Sequence, residues 1–549
     1  MQRLQRRLPA LLACALLGAL LSPSYSDDAD AFCGFYVTGA NAELTNNATM
    51  VVLMRDGTRT VLSMQNNYQG PAKDFAMIVP VPVVLQEADV KILPDEVFDR
   101  VDKLASPRLV EYWEQDPCNP PIYYDMVKSA EMMPSGAGGG GKLDKDTGVT
   151  IEAQFEVGEY QVVILSAKDS TGLDTWLARE KYNIPKGAEP LLRPYVQSGS
   201  KFFVAKVDAK KVKFDANGQA KLSPLRFHYD SPEFALPVRL GLINAPEGQG
   251  SKQDLIVHIL ARGVRYQTAN YANVAIPTNL EVKNETREHF GEFYASLFDH
   301  VLANNPKAIV TEYAWAANSC DPCPEEPLNL GELVTLGADA LPSYAQMFGP
   351  NKRVDESAQW SIPAEFVLTR LHARYDASSL GEDLVFEAAP AIVGGREFMQ
   401  NDGKLEQGAV EEPNGWNNFQ ARYIIRHRWE GKVECESPQY GIWGEPWPEV
   451  AQQGGNSQPA VAQDLAFVPR GAALANYVTD SAKQEIEASV GKLPEGPVAV
   501  PEPYPEGKGD PDAKAGCAHC AVETGTGGLL GLGLAALGLF GLRRRRRSR

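Results

Sequence analysis

Between residues 33 and 79, apolar and β-branched side chains come in short runs broken by polar turns, which is the signature of strands. Cys33 to Val37, Met50 to Arg55, Thr58 to Met64 and Phe75 to Val79 are rich in Val, Ile, Met and Phe. Asp56-Gly57 between two of them is a two-residue hairpin signal, so an antiparallel meander is expected. The period then changes: Val97, Val101 and Leu104 recur at helical spacing from Pro94 to Leu104, and Ser106-Pro107 stops the helix. Further strands are predicted near Val149 to Ala167, Phe202 to Val207, Phe234 to Leu242 and Leu255 to Ala261, with a hairpin turn at Asn217-Gly218.

The clearest helix is Arg287 to Leu302, where Phe290, Phe293, Tyr294, Leu297, Phe298, Val301 and Leu302 recur at three and four, capped by Thr286 or Asn284. A strand at Ile309 to Trp315 leads into Cys320. A helix near Ala338 to Met347 and strands at Phe366 to Ala373, Leu384 to Ala388 and Tyr423 to Arg428 follow. Gln452 to Gln463 is low in complexity, and residues 491–516 are a Pro/Gly-rich spacer. The fold class is therefore α+β, mainly antiparallel sheet with packed helices, in two interleaved lobes over 27–284 and 285–490.

The ends carry a different pattern. Arg3, Arg6 and Arg7 precede an apolar stretch from Leu8 to Leu21 and the small-x-small triplet Ser24-Tyr25-Ser26, so residues 1–26 read as a secretory signal. At the other end lie Cys517-Ala518-His519-Cys520, the sixteen apolar residues Gly527 to Leu542, and six arginines. At about 1.5 Å per residue such a helix is marginal as a permanent span of a ~30 Å hydrocarbon core. The arginines place the C-terminus in the cytoplasm and the body on the far side of the inner membrane. Lys and Arg number 53 against 70 Asp and Glu, a net charge of −17, and setting the signal and tail arginines aside leaves the body more acidic still. Such a body repels nucleic acid.

The order of cysteine, short glycine-rich apolar helix and arginine run in residues 516–549 resembles the MYXO-CTERM sorting tail of Gram-negative bacteria. That resemblance implies removal of the helix by a membrane-embedded protease, and anchoring at Cys517, with Cys520 as the alternative. The expected partners are thus the membrane, a signal peptidase and the sorting-tail protease. The expected location is the cell envelope, on the periplasmic side of the inner membrane or on the outer membrane or cell surface. Within the body, Cys33-Gly34-Phe35-Tyr36-Val37, the stretch Arg55 to Met64, Asn66 to Pro71 and Val79-Pro80-Val81-Pro82 resemble the opening of the bacterial family called domain of unknown function 2330. Ser106 to Trp113, Asp116-Pro117-Cys118, Cys320-Asp321-Pro322-Cys323 and Arg422 to His427 extend the likeness. The family has no established activity, so the resemblance implies no catalytic residues and no cofactor.

In an oxidising compartment the body cysteines Cys33, Cys118, Cys320, Cys323 and Cys435 tend to pair, with two bridges leaving one over and the connectivity open. A loop from Cys33 to Cys118 would contribute about 4 kcal/mol on the chain-entropy model. Cys320-Asp321-Pro322-Cys323 has the proline of a thiol-oxidoreductase site, but Asp321, Glu325 and Glu326 raise thiol pKa values, and a structural disulfide is the expectation. Cys517-Ala518-His519-Cys520 lacks the second cysteine pair of a zinc site.

Gly136 to Lys142 misses the Ser or Thr of a phosphate loop, and Asp144 to Gly148 misses the third acid of a calcium loop. His228, His258, His289, His300, His372 and His427 form no metal pair at helical spacing. Arg226-Phe227-His228-Tyr229-Asp230 and Arg426-His427-Arg428-Trp429-Glu430 are the densest polar-aromatic clusters and the first places to seek a binding groove. The expectation is a non-catalytic, disulfide-stabilised binding or structural protein of the cell envelope. Its rival is an exported enzyme, using Cys320 and Cys323 or a noncontiguous hydrolase site.

Overall fold

The computed structural model describes residues 35–489, with breaks at 39–44, 70–74, 120–148, 183–187, 215–219, 245–251, 346–355, 398–404 and 453–457 and at scattered shorter points. Contacts group Met1–Pro503 into one unit and Tyr504–Arg549 into a second, which lies wholly outside the described residues. The same holds for the signal segment, the spacer, the sorting tail with Cys517 and Cys520, Cys33, the turn at Asn217-Gly218 and both glycine-bearing loops at 136–148.

In chain order the main strands are β1 (Phe35–Thr38), β2 (Thr45–Asp56), β3 (Arg59–Gln69), β4 (Phe75–Val81), β5 (Arg108–Glu114), β6 (Val149–Val157) and β7 (Tyr160–Ala167). They continue with β8 (Lys201–Val207), β9 (Leu225–Asp230), β10 (Gln253–Arg262), β11 (Ile309–Ala316), β12 (Phe366–Tyr375), β13 (Asn418–Gln420) and β14 (Arg422–His427). The longer helices are α1 (Glu96–Ala105), α2 (Ser170–Arg179), α3 (Ala188–Gln197), α4 (Phe290–Asn304), α5 (Leu330–Leu336), α6 (Glu356–Glu365) and α7 (Asp480–Ser489).

An eleven-stranded sheet forms the centre, with the run β13-β11-β12-β10-β2-β3-β9 at its middle. It takes strands from both sides of Asn284, where a lobe boundary was expected: β2, β3, β9 and β10 precede that residue and β11, β12 and β13 follow it. Pairing is mainly antiparallel, but β10 runs parallel to β2 and β14 parallel to β5. A second sheet, β1-β4-β8-β7-β6, stacks against the central one. The α+β class is what the chain adopts.

Layering explains the continuous apolar runs. Val51 and Leu53 of β2 pack with Met77 and Val79 of β4 between the sheets, while Val52 and Met54 meet α1 and α5 on the opposite face. Ala76 and Ile78 of β4 face α2 and α3 on the outside of the second sheet. Strands buried on both faces have no reason to alternate apolar and polar positions. The meander expected at the start is therefore not formed. β2 and β3 make a hairpin in the central sheet, whereas β1 and β4 pair in the second. The hairpin turn also slips by one residue: Asp56 pairs with Arg59, and Gly57, at φ 56°, makes the bend with Thr58.

Three other expectations are corrected. Phe234 to Leu242 keeps only the two-residue strand Ala235–Leu236 and then coils into a 3-10 turn, Arg239–Asn244. The helix expected at Ala338 to Met347 is broken, within the described residues, into a 3-10 turn, Ala338–Ala340, and a single helical turn, Pro342–Ala345. Before it stands α5, which the sequence reading did not expect and which Asn329 caps by accepting from the Glu332 amide at 3.0 Å while Glu332 reaches back in a capping box. Helix α4 starts at Phe290 after a 3-10 turn, Asn284–His289, and Thr286 does not cap it. The buried Thr286 hydroxyl donates instead to the Tyr477 carbonyl at 2.9 Å.

Candidate functional site

Ionisable residues interrupt three of the buried central strands, and register brings them together. In β10 and β12, His258 pairs with Arg370 and Ile256 with His372. In β11 a bulge between Thr311 and Tyr313 inserts Glu312 opposite them. Glu312 accepts from Arg370 Nε at 2.6 Å, His372 Nδ1 at 2.7 Å and the Tyr294 hydroxyl of α4 at 2.5 Å. Asp254 takes His372 Nε2 at 2.9 Å and also meets Arg374 and Arg470. Asp102 of α1 pairs with Arg370 from the other side, and Asp299 of α4 holds Arg470 at 2.6 Å. Four acids thus face four cations: Asp102, Asp254, Asp299 and Glu312 against Arg370, His372, Arg374 and Arg470.

With a carboxylate on each ring nitrogen, His372 donates from both and is an imidazolium. Burial alone would lower its pKa, but the Glu312 charge and the hydrogen bonds from Asp254 and Glu312 overcome that and raise it. Burial likewise works against Asp254 and Glu312, and their cationic partners nevertheless hold both carboxyls below the ordinary range. The Phe298 ring of α4 stacks on His372 at 4.0 Å. This cluster fastens α1, α4 and the Arg470 segment to the sheet. A general base needs a free ring nitrogen, and His372 has none. His258 is buried beside Arg370, and burial together with that cation pushes it down to about 3, so it stays neutral.

The two polar-aromatic clusters of the sequence separate in the structure. Arg226 is buried, donating to the Val334 and Thr335 carbonyls at the end of α5 and pairing with Asp339 at 2.7 Å, while His228 faces Asp89 at 3.3 Å. That cluster is architectural. The other lies at the surface. β5 and β14 run parallel with His427 opposite Trp113, and their rings stack with centroids 4.7 Å apart. Glu111, two residues from Trp113 on β5, accepts from His427 Nε2 at 2.8 Å and also binds Arg287. Burial raises the Glu111 carboxyl, but the hydrogen bonds from His427 and Arg287 and the Arg287 charge outweigh it and hold it low.

His427 and Arg287 line a cleft of about 470 Å³, completed by Asn284, Glu285, Glu288 and His289. On the face of β14 away from His427, Arg426 and Arg428 lie over the Trp443 ring at 5.1 and 4.8 Å. The cleft itself offers paired charges, with the Trp113 ring stacked on its His427, which suit recognition of a polar ligand. Sequence reasoning found His427 but missed Glu111 and Arg287, because nothing in their spacing links β5, β14 and the turn before α4.

The parallel pairing of β5 and β14 also accounts for a cystine. Both strands leave the sheet at the same end, and Cys118 and Cys435 beyond them are bonded, with Cα atoms 5.6 Å apart across a sequence separation of 317. A Cys33–Cys118 bridge is thereby ruled out. Cys320 is bonded to Cys323, Cα to Cα 4.9 Å, in a loop after β11. That loop is pinned: Arg108 donates to the Pro322 carbonyl at 2.8 Å, Gln420 to the Asp321 carbonyl, and the Glu397 amide to Asp321 Oδ2 at 2.9 Å. The next helix, α5, begins only at Leu330, so neither sulfur sits at a helix N-terminus, the setting that activates a thiol. Glu325 is taken up by Arg100 and Lys103. Among the described residues no cluster of His, Cys, Asp and Glu is arranged to hold a metal ion, and no helix is long and apolar enough to cross a membrane.

Layered sheets, an internal ionic cluster and, among the described residues, two cystines define the chain as a protein of the α+β class. The family model described as "Uncharacterized protein conserved in bacteria (DUF2330)" matches residues 27–387, and the chain belongs to that family. The match ends before β13 and β14. No curated protein matches the chain. Among solved structures, the crystal structure of baculovirus P35 is similar at 10% identity and a TM-score of 0.26, covering 64% of this chain and 99% of that one, a likeness too low to carry argument.

Proposed function

We propose that this protein is exported through its N-terminal signal, anchored at the cell envelope through Cys517 or Cys520, and acts there as a non-catalytic binding or structural protein. The observation that carries the reading is the pair of cystines, above all Cys118–Cys435, which joins distant parts of the chain and fits an oxidising compartment. The cleft at His427, Arg287 and Glu111 is the binding surface. Within it Glu111 is committed to His427 and Arg287.

The oxidoreductase reading fits less well, since the Cys320–Cys323 loop is held by buried donors and lies away from any helix start. The test is fractionation of cells making the full chain or a Cys517→Ser/Cys520→Ser double variant. The wild type is expected in the envelope fraction and the variant released from it. Identical distribution of both, with the wild type in the cytosol, would overturn the proposal.

A further inference from the structure

Two arginines lie side by side in the interior without a carboxylate partner. Arg108 of β5 and Arg422 of β14 are register partners on parallel strands, and both are fully buried. Among the described residues neither makes an ion pair. Arg108 spends its terminal nitrogens on carbonyls, donating to Pro322 at 2.8 Å and Leu104 at 2.6 Å. Arg422 donates to Asn279 Oδ1 at 2.8 Å, to the Arg396 carbonyl at 3.0 Å and to the Tyr112 hydroxyl. Their Nε–H groups have no hydrogen-bond partner among the described residues.

Two more buried polar groups share that face. Tyr313 of β11 is the register partner of Gln420, and Gln420 stands two residues before Arg422, so the three side chains point the same way. Gln420 Oε1 has no partner among the described residues, and the Tyr313 hydroxyl has only the Arg108 guanidinium beside it. The Arg108 guanidinium lies over the Tyr313 ring, 5.4 Å from its centroid. The Cys320–Cys323 loop covers this face, since Arg108 and Gln420 hold the neighbouring carbonyls of Pro322 and Asp321.

Buried charges are normally paired, because burying an ion costs several kcal/mol that only an opposite charge offsets. Here burial pulls the Arg108 pKa down and the Arg422 charge pulls it the same way. Asp321 is near enough to act on Arg108 electrostatically, but its Oδ2 accepts from the Glu397 amide. Burial keeps the Tyr313 phenol protonated, pushed up to about 12, and so able to donate.

We propose that a small monovalent anion of the chloride class is bound beneath the Cys320–Cys323 loop, held by Arg108 Nε–H, Arg422 Nε–H and the Tyr313 hydroxyl. It neutralises the paired guanidinium groups and locks β5 and β14 under the loop. The site is remote in kind from the cleft, being internal and centred on two guanidinium groups, and it does not depend on what the cleft binds.

The experiment is a thermal melt of the full chain titrated with sodium chloride, with gluconate holding ionic strength constant, together with crystals grown in bromide. A saturable rise in Tm with chloride is expected. Tyr313→Phe should raise the half-saturating chloride concentration on the order of tenfold, as for loss of one hydrogen bond to a charged group. In wild-type crystals an anomalous bromide peak is expected among Arg108, Arg422 and Tyr313, which keeps the test decisive if the variant folds poorly. A Tm that follows ionic strength alone, or ordered water without a bromide signal at that position, would overturn the proposal.

Discussion

His372 and the two carboxylates that flank it titrate in opposite senses, and together they set a window of stability. The histidine is raised, so its contribution is fully present below its unfolded value of about 6.5 and is lost as pH climbs through the folded value. Asp254 and Glu312 are lowered, so theirs is present above about pH 4 to 4.5 and is lost as pH falls through the folded values. Chemical denaturation across pH should therefore show a plateau between roughly pH 4.5 and 6.5 with a decline on each side. A stability that keeps rising above the plateau would contradict a clamped imidazolium.

At the same scale, Glu312→Gln removes the one group shared by Arg370, His372 and Tyr294 and leaves the buried Arg370 with Asp102 alone and His372 with Asp254 alone. The expected loss is about 3–5 kcal/mol in urea unfolding, the cost of breaking a buried ion pair. A signal for this cluster was present in the chain. His258, Glu312, Arg370 and His372 each break an apolar strand where a solvent-facing charge has no place. Which of them meet was not legible, because that depends on register and on the bulge at Glu312.

At the scale of elements, the joints between helices and sheets carry sharp constraints. Gly337 ends α5 at φ 129° with its Cα against β3, and a Cβ there would fall 2.5 Å from Val61 Cγ1. Gly337→Ala should cost about 1–3 kcal/mol through overpacking in addition to the strain of that φ, read as a lowered urea midpoint with an unchanged slope. The excursion between β14 and Trp443 is a different case. It is tied by Cys118–Cys435 and by Glu114, which accepts from the Trp429 and Gly441 amides at 3.1 and 2.7 Å. Cys435→Ser should lower stability by up to about 6 kcal/mol on the chain-entropy model, given a loop of 317 residues, and should open the excursion to protease.

Hairpins and long strands were legible element by element from apolar runs and turn residues, as β2, β3, β10 and β12 illustrate. Their partners were not. β1 and β4 leave the expected meander for another sheet because both edges of the β2–β3 hairpin are already paired, with β10 on one side and β9 on the other. Phe234 to Leu242 looked like a strand by composition, yet its backbone turns so that the Val238 and Arg239 amides can donate to Asp383, a residue far away in the chain.

For the whole molecule, family and architecture agree on a bacterial protein of α+β class, and the proposed export explains its cystines. The measurement that tests this most directly is intact mass spectrometry of protein from the envelope fraction, alkylated without prior reduction. The account predicts a chain beginning at Asp27, ending near the tail cysteines, with Cys118, Cys320, Cys323 and Cys435 unalkylated. A full-length chain beginning at Met1, with those four cysteines alkylated, would contradict it.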